Sequence, residues 1–153
     1  MEHELLKIGD KAPEFSLPDY EGNLHSLSDF NNNIIMWFFP KANTPGWIIE
    51  GKGFRDEFQK FKDKEYSIIG VSADPPTKQK KFVEKFNFPF LMLCDESHEM
   101  LKAYKAWALK KFMGREYMGI LRITYIINKE GYIEKIFDKV KTKSHATDVL
   151  CDI

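Results

Sequence analysis

The sequence contains little cysteine: Cys94 and Cys151 are the only two in 153 residues. Two cysteines are too few for a disulfide-rich scaffold or for a zinc site built from cysteines. The four histidines stand far apart in the chain, without the short spacing of metal ligands, so we expect no metal site. We also expect both thiols to be reduced, as in most intracellular proteins.

The sequence also lacks net charge and long apolar runs. Its 23 basic residues are balanced by 23 acidic ones, which leaves no cationic excess for binding nucleic acid. No stretch approaches the roughly 18 apolar residues of a membrane helix. The N-terminus does not have the basic start and apolar run of a signal peptide. These absences predict a cytoplasmic protein that binds neither nucleic acid nor membranes.

Hydrophobic residues, by contrast, make up 43% of the chain, which is too many for an intrinsically disordered protein. The length predicts a single domain over residues 1–153. A domain of this size buries roughly 68–70% of its unfolded surface, so its core needs neither a metal nor a disulfide.

Short apolar runs alternate with segments of helical period. Residues 34–39 are all apolar and are followed by Pro40, which predicts a strand buried on both faces. The other predicted elements are a hairpin within 15–27, a helix from about Pro45 through Phe61, a strand over 67–72, a helix opened at 74–77, a strand over 90–93, a helix capped by Ser97, a hairpin over 122–137 and a helix over 144–150. This order predicts an α/β fold with a mixed central sheet flanked by helices and an N-terminal β-hairpin.

Residues 39–47 form the best candidate for a functional site. They follow the predicted central strand and open the next helix, and α/β proteins bind ligands where strands end and helices begin. Backbone N–H groups at a helix N-terminus favour an anion or a thiolate. We therefore expect any reaction chemistry to lie in this segment.

Segments in order along nearly the whole chain resemble the peroxiredoxins, specifically the bacterioferritin-comigratory (Q-type) branch. They are IGDKAPEF at 8–15, FPK at 39–41 with NTPG at 43–46 followed by Glu50, GFRD at 53–56, GVSAD at 70–74 and YMGILRIT at 117–124. The resemblance implies a thioredoxin-like fold and the reduction of hydrogen peroxide and organic hydroperoxides through a cysteine. It further implies a thioredoxin-type reductant and no metal or organic cofactor. We expect the protein to be a monomer or a homodimer.

In this family a thiolate attacks the peroxide O–O bond, which requires a thiol pKa well below about 8.5. By the resemblance, Pro40 shields the thiolate from water, the Thr44 hydroxyl orients the peroxide, and Arg122 activates the thiolate. The resemblance also implies a peroxidatic cysteine at position 47 and a resolving cysteine at position 52. This sequence has Trp47 and Lys52 at those positions.

Trp47 cannot perform the family reaction, because an indole only donates a hydrogen bond and has no titratable nucleophile. It also has no sulfur that peroxide could oxidise to a sulfenic acid. We therefore expect a peroxiredoxin-like protein without cysteine-based peroxidase activity. In it, Trp47 fills the vacated pocket and Arg122 stacks on the indole. Glu50 and Arg55, about one turn apart on the helix, are expected to form an ion pair.

Two alternatives remain open. The first is an active thiol peroxidase whose nucleophile has moved to Cys94 or Cys151. Asp95 and Glu96 disfavour a thiolate at Cys94, and the helix C-terminus disfavours one at Cys151. The simpler expectation is one buried and one surface thiol. The second alternative is a non-catalytic binding or accessory module that uses the surface around Trp47.

Overall fold

The computed structural model describes residues 5–39, 45–138 and 144–153, except for the side chains of residues 45–47 and 112. The strands are β1 (Ser16–Pro18), β2 (Leu24–Ser26), β3 (Asn33–Phe38), β4 (Tyr66–Ser72), β5 (Leu91–Cys94), β6 (Trp107–Phe112), β7 (Arg115–Ile120), β8 (Thr124–Ile127) and β9 (Ile133–Phe137). The helices are α1 (Pro45–Asp56), α2 (Phe58–Asp63), α3 (Pro76–Phe86), α4 (Glu99–Ala103) and α5 (His145–Asp152), with a 3₁₀-helix at Leu27–Asp29.

The central sheet has the strand order β5-β4-β3-β8-β9. Its strands β3, β4 and β5 run parallel, whereas β8 and β9 are antiparallel to their neighbours. β1 and β2 pair as a separate antiparallel hairpin near the N-terminus. The predicted mixed sheet, its flanking helices and the N-terminal hairpin are therefore confirmed.

Strand β3 lies at the centre of this sheet and is buried on both faces. Ile34, Met36 and Phe38 contribute to the core on one face, and Ile35 and Trp37 contribute to the core on the other. Each of these side chains is at most 2% exposed. Successive side chains of a strand point to opposite faces, which explains why a continuous apolar run is needed here.

Helices cover both faces of the sheet, so two separate cores form. Phe54 from α1, Phe61 from α2, Phe82 from α3 and Val149 from α5 pack into the core that contains Trp37. The other core takes its helical contribution from α4 and continues under the N-terminal segment. The arrangement leaves the end of β3 and the start of α1 at one edge of the layered structure.

Two predicted helix limits differ from the structure. The helix expected from Pro45 through Phe61 is two helices, α1 and α2, separated at Glu57. His98, rather than Ser97, occupies the N-cap position of α4. The Ser97 hydroxyl still accepts a long hydrogen bond, at 3.4 Å, from the second backbone N–H after it.

The hairpin of β6 and β7 is absent from the sequence prediction. Most of β7 is exposed to solvent, so its residues lack the apolar alternation that identifies a half-buried strand. Its turn is formed by Met113 and Gly114, which both have positive φ, at 50° and 80°. This is the backbone conformation of a two-residue hairpin turn, and Gly114 is the one local sign of it in the sequence.

Candidate functional site

The end of β3, the start of α1 and the segment before β8 meet at one edge of the central sheet. The N–H of Phe38, the last residue of β3, donates a hydrogen bond to the carbonyl of Ile123 at 2.9 Å. Arg122 therefore lies beside the end of β3. This is the position that the sequence predicts for a functional site, because the parallel strands of an α/β sheet end there.

Arg122 is held by an ion pair with Glu50 in the second turn of α1. Its Nη1 donates a hydrogen bond to Oε2 of Glu50 at 2.8 Å. The Glu50 side chain is fully buried, whereas that of Arg122 is 23% exposed. Burial raises the pKa of Glu50 to about 7, although the charge and hydrogen bond of Arg122 act in the opposite direction. The pair fixes the guanidinium relative to the first turns of α1.

One carboxylate oxygen of Glu50 accepts no hydrogen bond from the described part of the chain. Its Oε1 is buried and has no hydrogen-bond partner among those residues. A buried acceptor without a partner is costly, because it has lost water without a replacement. The ion pair therefore orients Arg122 at this edge more than it stabilises the fold.

A second buried polar contact lies on the same side of the sheet. The Thr124 hydroxyl and Nε2 of His145 are 2.7 Å apart, which links β8 to the start of α5. The imidazole of His145 packs edge-on against Phe54 and Phe137, with ring centroids 5.5 and 5.8 Å away. Burial lowers the pKa of His145 to about 4, with Asp148 opposing this shift. The histidine therefore contributes a neutral hydrogen-bonding ring between helices and sheet.

Lys110 on β6 brings a further basic group towards Arg122. Burial lowers the pKa of Lys110, and the charge of Arg122 lowers it further. Lys110 is itself half-buried on β6. The partly exposed guanidinium of Arg122 is a basic group at this edge of the sheet, and such a group suits an anionic ligand.

The site residues predicted from the sequence are described to different extents. Pro40 and Thr44 lie outside the described residues. Trp47 is the third residue of α1, and its side chain also lies outside them, so its stacking with Arg122 stays a prediction. Lys52 is exposed on α1, with Nζ 5.2 Å from the centroid of the Phe86 ring. This cation–π contact places the Lys52 side chain against α3.

The expected ion pair between Glu50 and Arg55 is wrong. Glu50 pairs with Arg122, and Arg55 donates a hydrogen bond to the carbonyl of Phe86 at 2.9 Å. The reason is the direction of Glu50, which precedes the buried Phe54 by four residues and so lies on the same helix face. A carboxylate on the apolar face of α1 needs a partner from another element. The four-residue spacing of Glu50 and Phe54 in the sequence indicates that face.

Neither cysteine lies in α1 or in the segment before β8. Cys94 is the last residue of β5, which β4 separates from β3. Its side chain is 2% exposed and its Sγ contacts Oε1 of Gln79 at 3.0 Å. Burial raises the pKa of the Cys94 thiol to about 12, and the negative charge of Glu96 acts in the same direction. Cys151 is exposed in the last turn of α5, so one buried and one surface thiol are confirmed.

Grouped metal ligands and membrane-spanning helices are both absent from the part of the chain that the structure describes. Within residues 5–39, 45–138 and 144–153, no three histidine, cysteine or acidic side chains are grouped so that they could hold a metal ion. Across the same ranges, no helix is long and apolar enough to cross a bilayer.

The sequence and the fold both match known peroxiredoxins. The AhpC/TSA family model matches residues 8–136. Peroxiredoxin Bcp of Bacillus subtilis (strain 168) is 44% identical over 146 residues, which cover 95% of this chain and 93% of that protein. Peroxiredoxin Bcp of Escherichia coli (strain K12) is 41% identical over 146 residues, covering 95% of this chain and 94% of that protein.

Solved structures show the same relationship. A cysteine-to-serine variant of PrxQ from Xylella fastidiosa superimposes with a TM-score of 0.91 at 28% identity, covering 97% of this chain and 96% of that chain. Peroxidoxin BcpB from Mycobacterium tuberculosis gives a TM-score of 0.84 at 28% identity and covers 95% of both chains. The fold is thus the thioredoxin-like fold of peroxiredoxins. The chain belongs to the AhpC/TSA family and, within it, to the Bcp or Q-type branch of the peroxiredoxins.

Proposed function

We propose that this peroxiredoxin-family protein has no cysteine-based peroxidase activity, because Trp47 and Lys52 replace the peroxidatic and resolving cysteines of the family. The observation that carries the proposal is the position of the two thiols. Cys94 and Cys151 are the only thiols in the sequence, and neither lies in α1.

The chemistry of peroxide reduction needs a thiolate beside the electropositive edge that Arg122 forms. The thiolate sulfur attacks one peroxide oxygen and the O–O bond breaks, so the sulfur becomes a sulfenic acid while the other oxygen leaves and takes up a proton to form water or an alcohol. The indole of Trp47 has no such electron pair to donate to oxygen. The family's hydroperoxide substrate and thioredoxin-type reductant are therefore not partners of this chain in a catalytic cycle.

The alternative of a relocated nucleophile is disfavoured by the environment of each thiol. Cys94 is buried, and its raised pKa leaves almost no thiolate at neutral pH. Cys151 is exposed at the C-terminal end of α5, where the helix dipole disfavours an anion.

A peroxidase assay tests the proposal directly. Purified protein is supplied with hydrogen peroxide or cumene hydroperoxide and with dithiothreitol or thioredoxin as reductant. We expect no turnover above the rate of the reductant alone. Turnover that persists in the Cys94→Ser, Cys151→Ser double variant would show that the reaction does not use cysteine at all.

Thiol titration separates the proposal from the relocated nucleophile. After stoichiometric peroxide, we expect two free thiols per chain in the unfolded protein, as before treatment. Rapid loss of one thiol, prevented by either Cys94→Ser or Cys151→Ser alone, would identify a relocated peroxidatic cysteine and overturn the proposal.

A further inference from the structure

A cavity of about 570 Å³ lies between the end of β4, the start of α3 and the hairpin of β6 and β7. Sites for small molecules span about 300 to 1,000 Å³, so this cavity is large enough for a ring system with substituents. The described side chains that line it include Asp74, Lys78, His98, Trp107, Lys110 and Tyr117.

Aromatic rings form part of the cavity wall. Trp107 is half-buried and packs against His98, with ring centroids 4.3 Å apart. Tyr117, on the adjacent strand, keeps 48% of its surface exposed. Half-exposed rings offer flat apolar surfaces, against which a planar ligand can stack. A flat, partly apolar molecule therefore fits this wall better than a small inorganic ion.

The charges that line the cavity favour an anion. Neither Lys78 nor Lys110 has a carboxylate within ion-pair distance among the described residues. Asp74 is the lining carboxylate, and its Oδ2 already accepts a hydrogen bond from the Ser72 hydroxyl at 2.8 Å. Two lysines with no acidic partner thus face the cavity, and the Arg122 guanidinium acts on one of them.

A glycine lets Lys110 take its position in the wall. A Cβ at Gly119 would lie 3.1 Å from Cδ of Lys110 and 3.3 Å from Cε2 of Tyr117. These distances are tighter than ordinary van der Waals contacts, so a side chain at position 119 would shift the lysine or the ring by a few tenths of an ångström. Lys110 and Tyr117 are cross-strand partners in the hairpin, and Gly119 leaves room for both side chains beside it.

We propose that this cavity binds a small aromatic organic anion, with its ring against Trp107 and its acidic group paired with Lys110 and Lys78. The proposal does not depend on peroxidase activity, since Thr44, Trp47 and Arg122 are not needed to hold the ligand. It gives this chain a binding function that is separate from the family reaction.

Isothermal titration calorimetry with 2-naphthalenesulfonate tests the proposal. We expect saturable binding with one site per chain. Neutral 2-naphthol, which lacks the charge, and butanesulfonate, which lacks the ring, should each bind roughly tenfold more weakly. No saturable binding of the sulfonate, or equal affinity for either comparison compound, would overturn the proposal.

Variants locate the binding site. Lys110→Gln should weaken 2-naphthalenesulfonate binding roughly tenfold, because a charged hydrogen bond is lost. Lys111→Gln is the matched control, since Lys111 is the next residue on β6 and its side chain is 75% exposed. Equal affinity of the Lys110→Gln and Lys111→Gln variants would place the ligand elsewhere and refute the site.

Discussion

Arg122 and Glu50, which are 72 residues apart in the sequence, form a hydrogen-bonded ion pair at 2.8 Å between the segment before β8 and helix α1. The carboxylate is fully buried and the guanidinium is partly exposed. The pair therefore presents a fixed positive group at the edge where α1 begins, while its negative partner is withdrawn from solvent. The contribution of Glu50 to the stability of the protein should therefore depend on pH.

Replacement of Glu50 by glutamine should change the pH dependence of stability. The folded-state pKa of Glu50 is raised from 4.5 to about 7, so its contribution is fully present below about pH 4.5 and is lost as the pH rises towards 7. Glu50→Gln removes this loss. As the pH rises from 4.5 to 7, the free energy of unfolding of the variant should therefore fall less, or rise more, than that of the wild type. The two slopes should differ by at most about 1.4 kcal/mol per pH unit.

Urea unfolding at pH values between 5 and 7.5 measures this difference in slope. His145 acts in the opposite sense, because its lowered pKa, about 4, makes stability increase as the pH rises towards 6.5. The Glu50→Gln variant should show the increase in stability that His145 causes, without the opposing decrease that Glu50 causes in the wild type. Glu116→Gln, at a side chain that is 57% exposed, is the control and should keep the wild-type slope. Identical slopes for all three proteins would contradict the prediction.

Replacement of Thr124 by valine should destabilise the protein by about 1–3 kcal/mol, because buried His145 then loses its partner at 2.7 Å. Valine keeps the shape of threonine, so the loss reports the hydrogen bond and not a cavity. Chemical denaturation measures the change. Thr147→Val, at an exposed position of α5, should alter stability by less than about 0.5 kcal/mol. An equal effect of the two variants would show that the hydrogen bond is not the cause.

The two thiols should react with dithionitrobenzoate at very different rates. Cys151 is exposed and should react at once, whereas Cys94 is buried with a pKa raised to about 12 and should react only as the protein unfolds. Absorbance at neutral pH should give one fast thiol in native protein and two in urea. The Cys151→Ser variant should give none in the native state, and a fast thiol in that variant would mean that Cys94 is accessible.

Replacement of Trp47 by cysteine should create a peroxide-sensitive thiol. The new side chain would stand in the first turn of α1, at the edge where Glu50 holds Arg122. A helix N-terminus and a nearby cation lower a thiol pKa, so the thiol should be oxidised roughly tenfold faster, or more, than free cysteine at pH 7. Stopped-flow thiol loss with hydrogen peroxide is the measurement.

The control for that experiment is Trp47→Ser, which places a hydroxyl instead of a thiol at position 47 and should consume no peroxide. Adding Arg122→Met to the Trp47→Cys variant should slow the oxidation, because the cation is then missing. An oxidation rate no higher than that of free cysteine in the Trp47→Cys variant would mean that this edge no longer supports thiolate chemistry.

Most of the fold could be predicted from local patterns. The apolar run at 34–39 identified the central strand, and Pro76 at the start of α3 marked a helix. The hairpin of β6 and β7 could not be predicted, because its strands are held by pairing with each other and carry exposed side chains. A strand that faces solvent shows little alternation of apolar and polar residues in the sequence, even when its backbone is fully hydrogen-bonded.

The candidate site was predictable only in part. Arg122 was singled out from its motif, and the structure places it beside the end of β3. Its role in the family chemistry stays a prediction. The partner of Glu50 was predicted wrongly, because helical spacing offered Arg55 as a neighbour. The face on which a helix is buried, rather than sequence distance, decides which charged groups can meet.

The sequence by itself determined the family, the strand pattern and the absence of cysteine at positions 47 and 52, because these depend on residue identity and local order. Only the tertiary structure decided that Glu50 holds Arg122, that Cys94 is buried, and that Lys110 faces a cavity. Those properties depend on which surfaces lose water when distant segments pack together. Desolvation is set by the whole fold, and it controls the charge and reactivity of each group.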